Sequence, residues 1–153
     1  MTNNDILRRL RYVLDLSDGK VIRLYAKVKH EMPQETLHDM LRKDDEPGFK
    51  PCSDQDLCRF LDGLIIFKRG IREGDAIPAP TKLNNNLILR KLRIALELKD
   101  DDMVEVLKLA NFRISKGEIS ALFRNPDHKN YKVCGDQLLR NFIKGLSVKL
   151  RGK

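Results

Sequence analysis

Long apolar runs, cysteines and aromatic rings are all scarce in this 153-residue chain, and each scarcity removes a class of protein. The apolar run LIIF at 64–67 falls far short of the roughly 20 residues that a membrane-spanning helix needs. The opening MTNNDILRRL is polar and then alternates apolar with basic residues, without the continuous apolar stretch and small-residue cleavage site of a secretory signal. A cytoplasmic location with no membrane partner is the expectation. Three cysteines are odd in number and low in density, which argues against a disulfide scaffold and for free buried thiols. Aromatics make up 6% of residues, too few for extensive base stacking. The glycines form neither GxGxxG nor GxxxxGKS/T, so a nucleotide phosphate loop is unsupported.

What is present is charge, unevenly spread. The formal net charge is +8. Residues 1–70 hold 13 basic and 12 acidic residues, whereas residues 84–153 hold 15 and 8. The positive charge therefore belongs almost entirely to the C-terminal half, a modest pointer to a polyanionic partner.

The two halves are copies. A shift of 82 positions aligns 3–70 with 85–152 without a gap. NNDILRRLR at 3–11 meets NNLILRKLR at 85–93, and Leu14, Leu16 and Asp18 meet Leu96, Leu98 and Asp100. Arg42 meets Arg124, and Cys52, Asp54, Gln55, Phe60, Gly63 and Gly70 meet Cys134, Asp136, Gln137, Phe142, Gly145 and Gly152. The reading is a first helical repeat over 1–70, a linker over 71–84 containing proline and glycine, and a second repeat over 85–153. Units this small bury a limited share of their surface, so a packed pseudo-twofold pair is the expected arrangement.

Within each unit the apolar residues recur at three- and four-residue steps, which predicts helices and no strand. In the first unit these cover about 4–16, 19–29, 33–43 and 54–69. Asn3 or Asn4, and Asn85 or Asn86, are the expected N-caps of the opening helices. Arg11 and Arg93 stand four residues before Asp15 and Glu97, a spacing suited to local pairing, with Asp18 and Asp100 as further partners. Ser115 and Glu118 have capping-box spacing. Leu57, Phe60, Leu61, Leu64 and Phe67 line one face of the last helix. Gly63 and Gly145 interrupt that helix at a cost of roughly 1 kcal/mol relative to alanine, and their recurrence points to close helix packing. The fold class is all-α, a tandem duplication of a four-helix unit.

The paired asparagine-led basic helices, with DGLIIFKRG, FRNPDHKNYKVCGDQLLRNFIKGL and NNNLILRKLRIAL, resemble the bacterial YehS-like family over essentially the whole chain. The resemblance implies a two-copy helical protein of bacterial source. It supplies no catalytic residue, substrate or cofactor. The copies differ at the connector, where Asp44-Asp45-Glu46 faces Pro126-Asp127-His128, so a ligand site need not be equal in both.

Two sets of candidate residues remain. Cys52, Asp54 and Gln55, with Cys134, Asp136 and Gln137, form a repeated loop-to-helix group. Its structural reading is a buried thiol before a helix with Asp-Gln bonding backbone amides; ligand contact is the alternative. A Cys134, Asp136 and His128 nucleophile is a distant third, requiring His128 to reach the thiol. His30, His38 and His128 do not share repeat positions, and no metal or cofactor is expected; His30 and His38 could at most face one another across a turn. The second set is cationic: Arg90, Lys91, Arg93, Lys129, Lys132, Arg140 and Lys144 are the candidates for salt-dependent contact with DNA or RNA phosphates. The main expectation is a non-enzymatic binding or regulatory module with a protein partner or a second copy of itself, and weak nucleic-acid binding through the second repeat is the alternative.

Overall fold

The computed structural model describes residues 1–71 and 74–153. Among them every regular element is an α-helix. The first compact unit, Met1–Leu83, contains α1 (Asn3–Val13), α2 (Asp18–Lys27), α3 (Gln34–Met40) and α4 (Asp54–Arg69). The second, Asn84–Lys153, contains α5 (Asn85–Ala95), α6 (Asp100–Leu109), α7 (Lys116–Leu122) and α8 (Asp136–Arg151). The duplication read from the sequence is thus a duplication of a four-helix unit.

Each core is the set of stripes that periodicity marks. In the first unit Ile6, Leu7, Leu10 and Val13 of α1 meet Val21, Leu24 and Tyr25 of α2, Leu37 and Met40 of α3, and Leu57, Phe60, Leu61 and Leu64 of α4, all buried. Burying one such side chain is worth roughly 1.5–3 kcal/mol, so these stripes drive assembly of helices too short to stand alone. Tyr25 keeps its phenol satisfied by donating to the Asp56 carbonyl at 2.9 Å. Phe67 departs from its expected stripe and is 53% exposed. It lies almost one turn past Leu64, the last buried residue of α4.

The helix ends are sharper than periodicity suggests. α1 stops at Val13 because Asp15 takes a left-handed backbone, φ 53°, and the Leu16 amide donates to the Arg11 carbonyl at 2.9 Å. Glu97, Lys29 and Asn111 do the same after α5, α2 and α6, with φ of 54°, 57° and 59°. These are Schellman closures made without glycine, which is why the expected helices overran them. The N-caps also shift. Thr2 caps α1, its hydroxyl accepting from the Asp5 amide at 3.1 Å, and Asn84 caps α5, accepting from the Leu87 amide at 2.8 Å. Asn3, Asn4, Asn85 and Asn86 are not caps; their side chains point elsewhere, as described below. Pro33 is the N-cap residue of α3 and precedes its first turn. Ser115 and Glu118 form the expected capping box.

Gly63 and Gly145 explain how the long helix of each unit seats. A Cβ on Gly63 would fall inside the Leu24 carbonyl of α2, and one on Gly145 inside the Val106 carbonyl of α6. Backbone therefore touches backbone at matching points of both repeats, with no room for a methyl group. Helix propensity alone says that alanine here should stabilise by about 1 kcal/mol. Overpacking against an unyielding carbonyl dominates instead, and Gly63→Ala or Gly145→Ala should destabilise by about 3 kcal/mol. Urea denaturation of either variant reads the sign directly; a rise in the midpoint would rule out the backbone contact.

Candidate functional site

A dense polar arrangement forms in each unit where the first helix crosses the loop entering the last one. Asn4 is 5% exposed and uses its whole amide. Its Nδ2 donates to the Met40 and Lys50 carbonyls, both at 2.9 Å, while its Oδ1 accepts from the Cys52 amide at 2.9 Å. Asn86 repeats this with the Leu122 and Lys132 carbonyls at 3.0 and 2.8 Å and the Cys134 amide at 2.9 Å. One side chain thereby joins the end of the third helix to the residues just before the fourth. Asn3 donates to the Cys52 carbonyl at 3.1 Å and to the Asp54 carboxylate at 2.8 Å. Asn85 matches it on Cys134 and Asp136, at 3.1 and 2.7 Å.

This arrangement places the first candidate set. Asp54 also accepts from the Leu83 amide at 3.0 Å. The Leu83 amide and the Asn3 side chain hold its carboxyl below the usual range. The Asn85 hydrogen bond acts in the same direction on Asp136. So Asp54 does bind a backbone amide, but one at the far end of the linker and not one in its own loop. Gln55 and Gln137 are exposed. Cys52 and Cys134 are buried, each thiol directed to the following carbonyl at 3.6 Å. Burial and, next, nearby aspartates push Cys52 up to about 12 and Cys134 up to about 11. An activated nucleophile needs the opposite shift. His128, the base that a Cys134 nucleophile would need, is exposed and its Nδ1 accepts from the Asn130 amide at 3.0 Å. His30 packs on Tyr25 with ring centroids 5.6 Å apart, while His38 lines a groove with Arg11, Asp18 and Arg42, so the two do not form a pair. Among the described residues no group of three or more His, Cys, Asp or Glu could hold a metal. Among them, too, no helix is long and apolar enough to cross a membrane.

The cationic candidates separate into engaged and available side chains. Arg93 bonds Asp100 at 2.6 Å and the Leu98 carbonyl at 2.9 Å, and its guanidinium lies 4.6 Å from the centre of the Phe123 ring. Its counterpart Arg11 bonds Asp18 at 2.7 Å. Both arginines therefore tie the first helix of their unit to the start of the second. Lys132 is bonded to Glu118 at 2.9 Å, and Lys91 is half-buried and already engaged. Arg90, Lys129, Arg140 and Lys144 are exposed, the last two one turn apart on α8.

A residue pair outside these candidates completes the site: Arg42 and its counterpart Arg124. In the first unit Arg8 bonds Asp5 and donates to the Arg42 carbonyl at 3.0 Å, while Arg42 pairs with Asp39 at 3.0 Å and Glu46 at 4.0 Å. In the second unit both arginines persist as Arg90 and Arg124, but the three carboxylate positions hold Leu87, Ala121 and His128. Among the described residues Arg124 makes only a long bond, 3.3 Å, to the Asn130 carbonyl. Position-by-position subtraction of the copies carries this signal, whereas counting basic residues within one copy hides it.

Two outcomes follow from the junction. Asn86→Asp sets a carboxylate oxygen against two carbonyls and should cost about 3 kcal/mol at neutral pH, since it breaks buried hydrogen bonds and leaves a buried charge unpaired. Its burial and the facing carbonyls raise the new carboxyl's folded pKa above the unfolded value, so the loss should shrink as pH falls; urea midpoints at pH 7 and pH 5 check both size and sign. The thiols give a second readout. With folded pKa values raised to about 12 and about 11 from 9.0, Cys52 and Cys134 contribute stability that is full below pH 9 and lost as pH rises through that window. The native chain should accordingly resist iodoacetamide at pH 8 and take up label only in denaturant. Rapid native labelling at either residue would contradict the buried, protonated thiols.

Comparison with known proteins agrees with this duplicated architecture. The model of the family described as protein of unknown function, DUF1456, matches twice, over residues 3–70 and 85–152. The Escherichia coli (strain K12) uncharacterized protein YehS is 45% identical over 150 residues, covering 97% of this chain and 96% of that protein. No solved structure matches. The two family matches coincide with the two copies of the asparagine junction and its four helices, and the chain belongs to the DUF1456 family, to which its YehS-like motifs pointed.

Proposed function

We propose that this protein is a non-enzymatic binding module whose second repeat is the working surface and whose first repeat serves mainly as scaffold. The observation that carries this reading is the unequal neutralisation of a shared arginine pair. Arg8 and Arg42 are matched by Asp5, Asp39 and Glu46, while Arg90 and Arg124 stand opposite Leu87, Ala121 and His128. Structural need for the pair's charge does not account for leaving it unbalanced in one copy only. The repeated Asn, Cys and Asp residues support the same reading, because their polar atoms hold backbone and their thiols are protonated. A thiol-dependent reaction would have to begin from groups already committed to the fold.

A nucleic-acid partner is the second reading, favoured by exposed Arg140 and Lys144 on successive turns of α8. Phosphate contacts by such side chains release counterions, so affinity falls steeply with salt and depends little on sequence. Titration of the full chain with DNA and RNA, duplex and single-stranded, from about 50 to about 300 mM salt decides between partners. Saturable binding that weakens with salt, and weakens further in Arg140→Gln/Lys144→Gln, is the expected result for a nucleic-acid partner. No saturable binding at the low-salt end removes it and leaves a protein partner. Capture from bacterial extract by the wild type, lost when Arg90 and Arg124 are changed to glutamine, is then the expected result. Capture that survives those changes overturns the assignment to the second repeat.

A further inference from the structure

Arg90 and Arg124 line the same open pocket of about 240 Å³, together with Leu87, Phe123, Pro126 and Tyr131. We infer that this pocket binds one phosphate group, held between the two guanidiniums, with the apolar remainder of its ligand laid on the Phe123 and Tyr131 side. The inference rests on the second repeat being the binding surface and specifies what that surface takes.

Three features argue for a phosphate. The pair supplies two positive charges and forked N–H donors, which match the charge and several oxygens of a phosphomonoester better than the single charge of a carboxylate. Leu87, Phe123, Pro126 and Tyr131 give the pocket an apolar wall beside the guanidiniums, on which the rest of a phosphorylated ligand can lie. The first turn of α5 carries no acidic residue to repel an anion, whereas the first turn of α1 carries Asp5. In the first repeat the same two arginines already have internal anions: Asp5 on Arg8, and Asp39 and Glu46 on Arg42. Each of those carboxylates is a local partner, three or four residues from its own arginine. Their loss from the second repeat leaves the place to an external one. Arg93 is not part of the cradle's charge; Asp100 balances it, and its contact steadies the Phe123 ring. The volume is below that of pockets enclosing a drug-sized molecule, which suits a phosphate with part of an attached ring.

A phosphate of this kind can come from a free nucleotide or from the end of a nucleic-acid strand. Calorimetric titration of the full chain with adenosine monophosphate, adenosine, and an oligonucleotide with and without a 5′-phosphate separates the two. Adenosine should bind at least about tenfold more weakly than its monophosphate, and likewise the unphosphorylated strand than the phosphorylated one. A tighter monophosphate marks a free nucleotide as the source, and a tighter phosphorylated strand marks nucleic acid. Leu87→Asp restores the carboxylate that Asp5 provides in the first repeat. It should reduce phosphate affinity at least about tenfold while leaving the thermal midpoint unchanged or higher, because an acid at that position suits the helix start. Arg124→Gln should reduce affinity similarly. Equal binding of phosphorylated and unphosphorylated probes, no binding of either phosphorylated probe, or unchanged affinity in Leu87→Asp overturns the pocket. If the pocket fails in this way but salt-dependent nucleic-acid binding or extract capture through the second repeat persists, the binding-module reading stands. If those are lost from the wild type as well, both fall.

Discussion

Each repeat is organised around one buried amide. Asn4 and Asn86 each make three hydrogen bonds that join the end of the third helix to the loop before the fourth. A buried amide left unpaired costs far more than a paired one gains, so the loop has one satisfactory path past this side chain. Along that path the cysteine is carried inward, the aspartate after it reaches the neighbouring asparagine, and the fourth helix starts in the right place. The clamp adds to the burial of Leu37 and Met40 in holding a seven-residue third helix and a polar connector to the first helix.

The glycine crossing complements the clamp. The asparagine sets where the fourth helix begins, and the glycine sets how close it lies against the second, with backbone in contact at Gly63 and Leu24 and again at Gly145 and Val106. Both constraints act through backbone atoms, which makes them insensitive to most surface substitutions. The two copies have therefore kept one scaffold while their outer charges diverged. The exchange of Asp5, Asp39 and Glu46 for Leu87, Ala121 and His128 changes no helix and leaves two arginines without their carboxylates. The proposed function rests on that difference between two copies of one fold.

Much of the fold was legible because it rests on periodicity. The stripes through Leu7 and Leu10, Leu24, Leu61 and Leu64 are core, and Gly63 and Gly145 mark close packing as their recurrence suggested. The errors lie where a local rule had a competitor. Asn3, Asn4, Asn85 and Asn86 have the chemistry of N-caps, but Thr2 and Asn84, one position earlier, take that role and free the asparagines for contacts about 50 residues away. Asp15 and Glu97 end their helices through left-handed backbone that composition does not signal in a non-glycine residue. Phe67 satisfies the helical period and still lies outside, because the period is indifferent to where a neighbouring helix stops. At the candidate site, the basic run at Arg90, Lys91 and Arg93 is visible as a string of charges. Which members are free is not, since Arg93 is balanced by Asp100 across a turn and Arg90 is left open by a leucine.

Sequence alone determined the duplication, the helical class, the composition of the two cores and the concentration of positive charge in the second copy. These follow from repeated residues and from spacing along the chain, both properties of a linear string. Tertiary structure decided that the asparagines are clamps, that the thiols are buried and protonated, and that Arg124 joins Arg90 around one pocket. Each of those depends on which distant groups meet, and a side chain's hydrogen bonds, desolvation and charge balance are fixed by its neighbours in space.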